Sequence, residues 1–439
     1  MLRGQGPGQS RRIPSLPAKS RLVLPILLAL ALSLAAASCA SAPAPEPPSS
    51  LEISVGRFFA SHNIPLLAST KPKLYFSSDD WAARALELVK GANDYIMISS
   101  FLVNSHRVNE PIMKALVEKA AQGVRVYVIF DSSSYFTYLP DKKSYLPTAL
   151  SYFRGTAVRV AEYNPISGAK LFALPSLLDR DHRKFWIVDG KYLAAGGMNL
   201  NYYSLAPSGE YSNIDTFAEI EGEEPLRLMV DSFCETWNRY SPERLSPEAF
   251  DVKARPVDSS VWLVDQIPGE ESKIDTLFDA FFGSAEKEIW MLQAYTFSTP
   301  ALVAKIESAT KRGVKVHIVL SANSFRSAYD EASKYCVEDL LKAGASVYMF
   351  DAPDDSFLHY KLMLADGRLA AFGSPNYNFR SQYLSREIAI VSAEPSVASA
   401  ALLNLKGLMK YATPVTMEEA IGYRGLKYFA SYLGMLFGG

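Results

Sequence analysis

The chain has 439 residues, 49% of them hydrophobic and 21% charged, which is material for two or three domains of about 150 residues with real apolar cores. Its 45 basic and 46 acidic side chains leave a net charge of −1, and no dense basic stripe runs through it. That balance argues against a nucleic-acid binder, where a basic excess supplies most of the affinity by neutralising phosphates.

Residues 1–38 differ from the rest. Arg3, Arg11, Arg12, Lys19 and Arg21 precede an apolar run from Leu22 to Ala37, too short for the ~20 residues of a membrane span, so the stretch reads as a secretory signal. Ala36, Ala37 and Ser38 lead to Cys39, and residues 39–50 read as a flexible tether too poor in large apolar side chains to pack. The pattern resembles a bacterial lipoprotein signal with Cys39 as the lipidated residue. Ala36 stands where such signals prefer Leu, so ordinary cleavage of a secreted form also fits. Without residues 1–38 the chain has 40 basic and 46 acidic side chains, a net charge of about −6.

Downstream, one α/β unit is used twice. The spacing predicts a strand over 94–103, an amphipathic helix over 111–123 ended by Gly123, and a strand over 124–131. The same order returns at 288–297, 300–313 and 314–321. Strands alternating with helices of this length imply sheets covered by helices. The Pro-, Ser- and charge-rich stretch 241–260 places a boundary near residue 255, giving domains of 51–255 and 256–439.

Segments 133–176 and 323–357 separate each unit from the apolar runs downstream of it. In the first, Tyr135, Phe136, Tyr138, Leu139, Pro140, Tyr145, Tyr152, Phe153 and Tyr163 can serve either as core or as an apolar rim near a lipid. Cys234 and Cys336 read as two buried thiols. The tail 425–439 reads as a helix docking on the second domain, with a membrane-lying segment as the alternative. His317 reads as a core or edge histidine, and His62 and His106 have no motif around them.

The polar pattern that organises the chain is His182, Lys184, Asp189, Gly196 and Asn199, repeated at identical spacings as His359, Lys361, Asp366, Gly373 and Asn376. His and Lys two apart on a strand share a face, while Arg183 or Tyr360 takes the other. Asp189-Gly190 and Asp366-Gly367 supply tight hairpin turns that return each Asn beside its His. The aspartates then lie at the far end of each hairpin, where they fix the turn. A lone HxK would be a polar strand end, but two matched copies are not.

This duplicated HxKx4D with a downstream GxxN resembles the signature of the phospholipase D superfamily, over most of the chain after about Pro72. The resemblance implies two similar phospholipase D-like domains, each a mixed β-sheet flanked by helices, related by a pseudo-two-fold axis. It implies two imidazoles flanking one phosphorus. One histidine, assigned to His182, would attack to form a covalent phosphohistidine, and His359 would act as acid and then base. Lys184, Lys361, Asn199 and Asn376 would surround the phosphoryl oxygens and stand in for a metal, so no cofactor is expected. The family's acidic partners match Asp215 and Glu387, and its GSxN serine matches Ser374, a donor to a phosphoryl oxygen; the first copy has Gly197 there. Asn201, Asn378 and Arg380 rank below these residues.

The expected activity is that of a phosphodiesterase or phosphatidyltransferase acting on membrane phospholipids, with transfer to water or an alcohol, cardiolipin-synthase-like transfer included. The expected partners are a phospholipid substrate and a membrane surface, with no nucleic acid, and a monomer carries both half-sites. A nuclease of the same superfamily and an inactive scaffold are the other two classes. The acidic chain counts against the first, and two intact constellations count against the second.

Overall fold

The computed structural model describes residues 49–136, 149–166, 178–207, 210, 212–324, 327–354 and 356–435. The leader, Cys39 and most of the tether lie outside them. Tyr138, Leu139, Pro140 and Tyr145 of the first aromatic segment do so as well, and the side chain of Phe136 is not described.

Two mixed sheets carry the same strand order. In the first, Phe217–Ile220, Tyr192–Gly196, Lys184–Val188, Tyr95–Ser100, Arg125–Asp131 and Arg159–Tyr163 are neighbours in that sequence, with Lys73–Tyr75 at the edge. In the second, Ser385–Ser392, Leu369–Gly373, Lys361–Ala365, Glu288–Gln293, Lys315–Ser321 and Ser346–Phe350 repeat the order, extended by Ser259–Gln266 and Leu66–Ser69 on one side and Ala412–Pro414 on the other. The last three strands of each six are parallel, as the strand-helix alternation requires, and the hairpin strands beside them are antiparallel.

The two halves share a central core. Leu226, Met229, Phe233 and Trp237 of helix Glu223–Tyr240 and Val397, Ala401 and Leu405 of helix Pro395–Leu408 pack with Phe185 and Ile187 from one sheet and Leu362, Leu364 and Ile390 from the other. Separate outer cores lie under the helices of each half. Cys234 and Cys336 are buried thiols.

Packing divides the chain differently from a cut at residue 51. Helix Ser50–Ser61 buries Leu51, Val55 and Phe59, an i, i+4, i+8 stripe, against Trp262 and Phe278 of the second half, and Leu66–Ser69 pairs with Ser259–Gln266. An amphipathic stripe fixes which face is buried but not against which surface. The stretch 241–260 is also less loose than its composition implies. Leu245, Phe250 and Val252 are buried in the central core, with Phe250 edge-on to Tyr95 at 5.0 Å. Of the aromatics offered as a rim, Phe153 and Tyr163 are core, each 2% exposed, while Tyr135 remains exposed. Helix Leu426–Met435 docks on Ser327–Lys342 through Tyr335 against Phe429 and Tyr432 and through Lys427–Glu331 at 2.7 Å. Among the described residues, no helix is long and apolar enough to cross a membrane.

Each hairpin tip is tied to its sheet by its aspartate. Asp189 and Asp366 adopt φ of 54° and 55°, followed by Gly190 and Gly367 at 58° and 64°, the left-handed pair of a tight turn that the Lys191 and Arg368 amides close on the carbonyls of Val188 and Ala365. The Asp189 carboxylate accepts from the amides of Asn93, Asp94 and Tyr95, and that of Asp366 from Glu286, Lys287 and Glu288, at the entrance of each central strand. Asp189→Ala is expected to cost about 3 kcal/mol, because three charge-assisted bonds vanish and Ala disfavours positive φ. Asp189→Asn, which tolerates that φ and still accepts, should cost less than half as much. Urea unfolding measures both, and equal losses would refute the argument.

Candidate active site

The strand carrying each motif is interrupted at its histidine. Arg180–Asp181 runs parallel to Ser385–Ser392 of the other sheet, whereas Lys184–Val188 pairs antiparallel with Tyr95–Ser100 in its own. In the second copy, Phe357–Leu358 pairs with Asn213–Ile214 and Lys361–Ala365 with Glu288–Gln293. His182 and His359 stand where the chain steps between halves, and their amides donate to the carbonyls of Arg386 and Ile214 at 3.0 and 2.9 Å. The single unbroken strand expected from HxK spacing is therefore divided by hydrogen bonds to the opposite half.

Extending those registers by one residue sets Glu387 beside His182 and Asp215 beside His359. The Nδ1 atom of His182 lies 3.0 Å from both carboxylate oxygens of Glu387, and that of His359 lies 2.6 Å from Oδ2 of Asp215. Each histidine is thus held by a carboxylate from the other half, a crossing the sequence left open. With Nδ1 committed to a carboxylate, Nε2 is the ring nitrogen directed at the cavity.

His182, His359, Asn199 and Asn376 line one cavity of about 150 Å³, together with Phe101, Tyr295, Tyr329, Phe357 and Arg380. Asn199 Oδ1 accepts from the Leu102 amide at 3.0 Å, which orients its side chain. Asn376 Oδ1 is buried with no hydrogen-bond partner among the described residues. The lysines are not on the wall. Both are buried beneath it, each ammonium donating to the carbonyl of its own histidine, Lys184 to His182 and Lys361 to His359.

Ser374 also departs from its expected place. It is fully buried, donates to Glu387 and accepts from the Ile388 amide at 3.0 Å, so its hydroxyl serves the carboxylate instead of reaching the cavity. The first copy has Gly197 for a steric reason: a Cβ there would lie 2.2 Å from Asp215 Oδ2. The longer Glu387 leaves room for a serine; the shorter Asp215 fills that room itself. Gly196 and Gly373 of the two GxxN motifs are equally constrained, since a Cβ would sit 2.2 Å from the carbonyls of Thr216 and Ile388. Asn201 and Asn378 are caps, accepting from the Ser204 and Ser381 amides at 3.1 and 2.8 Å.

Behind His182 lies a buried ionic cluster that no spacing announced. Arg183 donates to Asp181 at 2.8 Å and Asp265 at 3.1 Å, and Arg386 donates to Ser232 at 3.0 Å, so the residues flanking His182 and Glu387 are locked across the halves. In the second copy Tyr360 takes the place of Arg183 and accepts from Asn404 at 2.8 Å.

Residues 85–237 and 279–407, one stretch in each half, match the family described as cardiolipin synthase, PLD-like domain. The chain belongs to that family. Among its relatives, cardiolipin synthase 1 of Bacillus anthracis is 26% identical over 363 residues, covering 80% of this chain and 69% of that one. Cardiolipin synthase A of Pseudomonas syringae pv. syringae is 25% identical over 367 residues, covering 82% and 72%. Among solved structures, a phosphatidylserine synthase from Haemophilus influenzae superposes with a TM-score of 0.67 over 87% of this chain and 99% of that one, at 15% identity, a likeness of fold.

In this PLD-like site the two pairs differ electrostatically. Burial lowers His182 to about 4, so it is neutral at physiological pH. Burial alone would raise its partner Glu387, but His182, Lys184 and Ser374 overcome that and hold the carboxyl below its ordinary value. Burial instead pushes Asp215 up to about 7, against the opposing pull of Lys361, the Thr216 amide and Lys184. Burial also lowers Lys184 to about 7 and Lys361 to about 8. A lysine is charged below its pKa, so kcat/KM should fall as pH rises between about 7 and 8, whereas ordinary lysines would hold it to about 10. An anionic phosphate in the cavity favours the ammonium forms, so the limb in kcat should lie higher. A flat kcat/KM profile to pH 9.5 with soluble substrate would refute this.

Proposed function

We propose that this chain is a phospholipase D-type phosphatidyltransferase working through a phosphohistidine. The observation that carries the reading is the pair of imidazoles on one cavity, each held at Nδ1 by a buried carboxylate of the opposite half. His182, neutral and oriented by Glu387, attacks phosphorus through Nε2 as the bond to the leaving oxygen breaks. His359, protonated and backed by Asp215, gives that oxygen its proton. It then takes the proton of an entering alcohol or water, whose oxygen displaces His182 and frees the product. Asn199 and Asn376 meet the phosphoryl oxygens, and Lys184 and Lys361 supply positive charge from below.

The cardiolipin synthases among its relatives support a phospholipid as substrate and a lipid alcohol among the acceptors. Both half-sites lie in one chain, which supports a monomer. Export and anchorage through Cys39 are supported by the basic and apolar stretches before it. The acidic composition still disfavours a nuclease.

The test is purified protein with short-chain phosphatidylglycerol, below its critical micelle concentration, after exhaustive EDTA treatment. Cardiolipin and phosphatidic acid are the expected products, with specific activity constant on dilution. Release of nucleotides from DNA without lipid turnover would overturn the reading, and activity restored only by one divalent ion would overturn its metal-free mechanism.

A further inference from the structure

The two ends of the cavity are furnished differently although the motifs are duplicated. At His359 a run of rings leads away from the imidazole: Phe357 lies 5.5 Å from His359, Tyr295 5.5 Å from Phe357, and Tyr329 4.7 Å from Tyr295, centre to centre. At His182 a ring, Phe101, lies 4.8 Å away and is flanked by cations, Lys184 at 5.2 Å and Arg380 at 5.7 Å from its centre. The asymmetry arises at matched positions. Two residues before each histidine stand Arg180 and Phe357; Arg180 turns inward to Ser132 at 2.8 Å and the Asn164 carbonyl at 3.1 Å, while Phe357 backs the cavity.

Displacement at phosphorus puts the attacking and departing atoms on opposite sides. If His182 attacks, the departing oxygen leaves on the His359 side, and the entering alcohol must approach from there to be deprotonated by His359. We propose that the wall of Tyr329, Tyr295 and Phe357 is the acceptor site, which favours an alcohol carried on an apolar body over water and over small alcohols. This rests on the phosphatidyltransferase reading and its assignment of His182. The rings contact the acyl-bearing part of the acceptor and hold its hydroxyl at His359, and by occupying the approach they exclude water. In the second step the acceptor O–H proton passes to His359, its oxygen bonds to phosphorus, and the P–N bond to His182 breaks.

The experiment measures partition of one intermediate, a ratio that loss of folded enzyme cannot change. A short-chain phosphatidyl-p-nitrophenol donor is given to wild type, Tyr329→Ala and Phe357→Leu with dihexanoylphosphatidylglycerol or ethanol as acceptor, and transfer product is compared with phosphatidic acid. In wild type the lipid alcohol is expected to outcompete ethanol at equal concentration. Tyr329→Ala should lower the ratio of lipid transfer to hydrolysis about tenfold, with a smaller change in the ethanol-to-water ratio. Phe357→Leu should shift it the same way. Unchanged ratios with slower p-nitrophenol release would mean that the wall holds the donor, and equal drops for both acceptors would mean no selection for an apolar body; either overturns the proposal. No p-nitrophenol release by wild type would instead overturn the phosphatidyltransferase reading.

Discussion

His182→Ala and His359→Ala are each expected to abolish turnover of ordinary phospholipids, but at different steps. Loss of the nucleophile leaves no way to form the intermediate, a fall of more than about 10⁴-fold whatever the leaving group. Loss of His359 removes a proton donor, worth about 10²–10⁴-fold when the departing alcohol is basic and far less when it is p-nitrophenol. With the activated donor, His359→Ala should release a burst of p-nitrophenol stoichiometric with enzyme and then stall, since nothing deprotonates the acceptor. Peptide mapping of the stalled protein should find the phosphoryl group on His182. In His182→Ala, Glu387 keeps the Ser374 hydroxyl, so the fold should survive, as near-ultraviolet circular dichroism can check. A burst in His182→Ala with label on His359 would reverse the two roles.

The crossed carboxylates give the second large effect. Glu387→Gln and Asp215→Asn retain size but lose the charge that fixes the tautomer and supports imidazolium. Losses of about 10²–10⁴-fold in kcat are expected for each, by the logic of an aspartate behind a catalytic histidine. Because Glu387 serves His182 and Asp215 serves His359, the activated donor separates them. The p-nitrophenol burst should return in Asp215→Asn, whose weakened residue is the acid, and stay slow in Glu387→Gln, whose weakened residue is the nucleophile. The opposite pattern would mean that each carboxylate works within its own half.

Much of this site was legible because its residues are close in sequence. The His, Lys, Asp, Gly and Asn spacings are properties of one hairpin, and Asp-Gly at its tip has one mechanical use. What was not legible depends on pairing over long separations. His182 meets a glutamate 205 residues away, and nothing local in SREIAI states which histidine it faces. Ser374 was assigned to phosphate by pattern, and only the position of Glu387 shows that its hydroxyl is already engaged. Tyr295, Tyr329 and Phe357 sit in ordinary apolar or loop sequence, so no spacing gathers them. Helix Ser50–Ser61 announced its buried stripe and concealed its partner for the same reason.

That last feature bears on how the protein is made. Among the described residues, Leu66–Ser69 has one strand neighbour, Ser259–Gln266, which is synthesised about 190 residues later, and that strand's other neighbour, Ser385–Ser392, comes later still. The helix before that strand, whose stripe packs on second-half residues, must wait beside a growing chain with its apolar side chains uncovered. Native contacts this remote slow folding and expose partly built intermediates to aggregation. The earliest-made segment of the described chain is therefore among the last to find its place, and a ribosome pause between the halves would lengthen the time it spends uncovered.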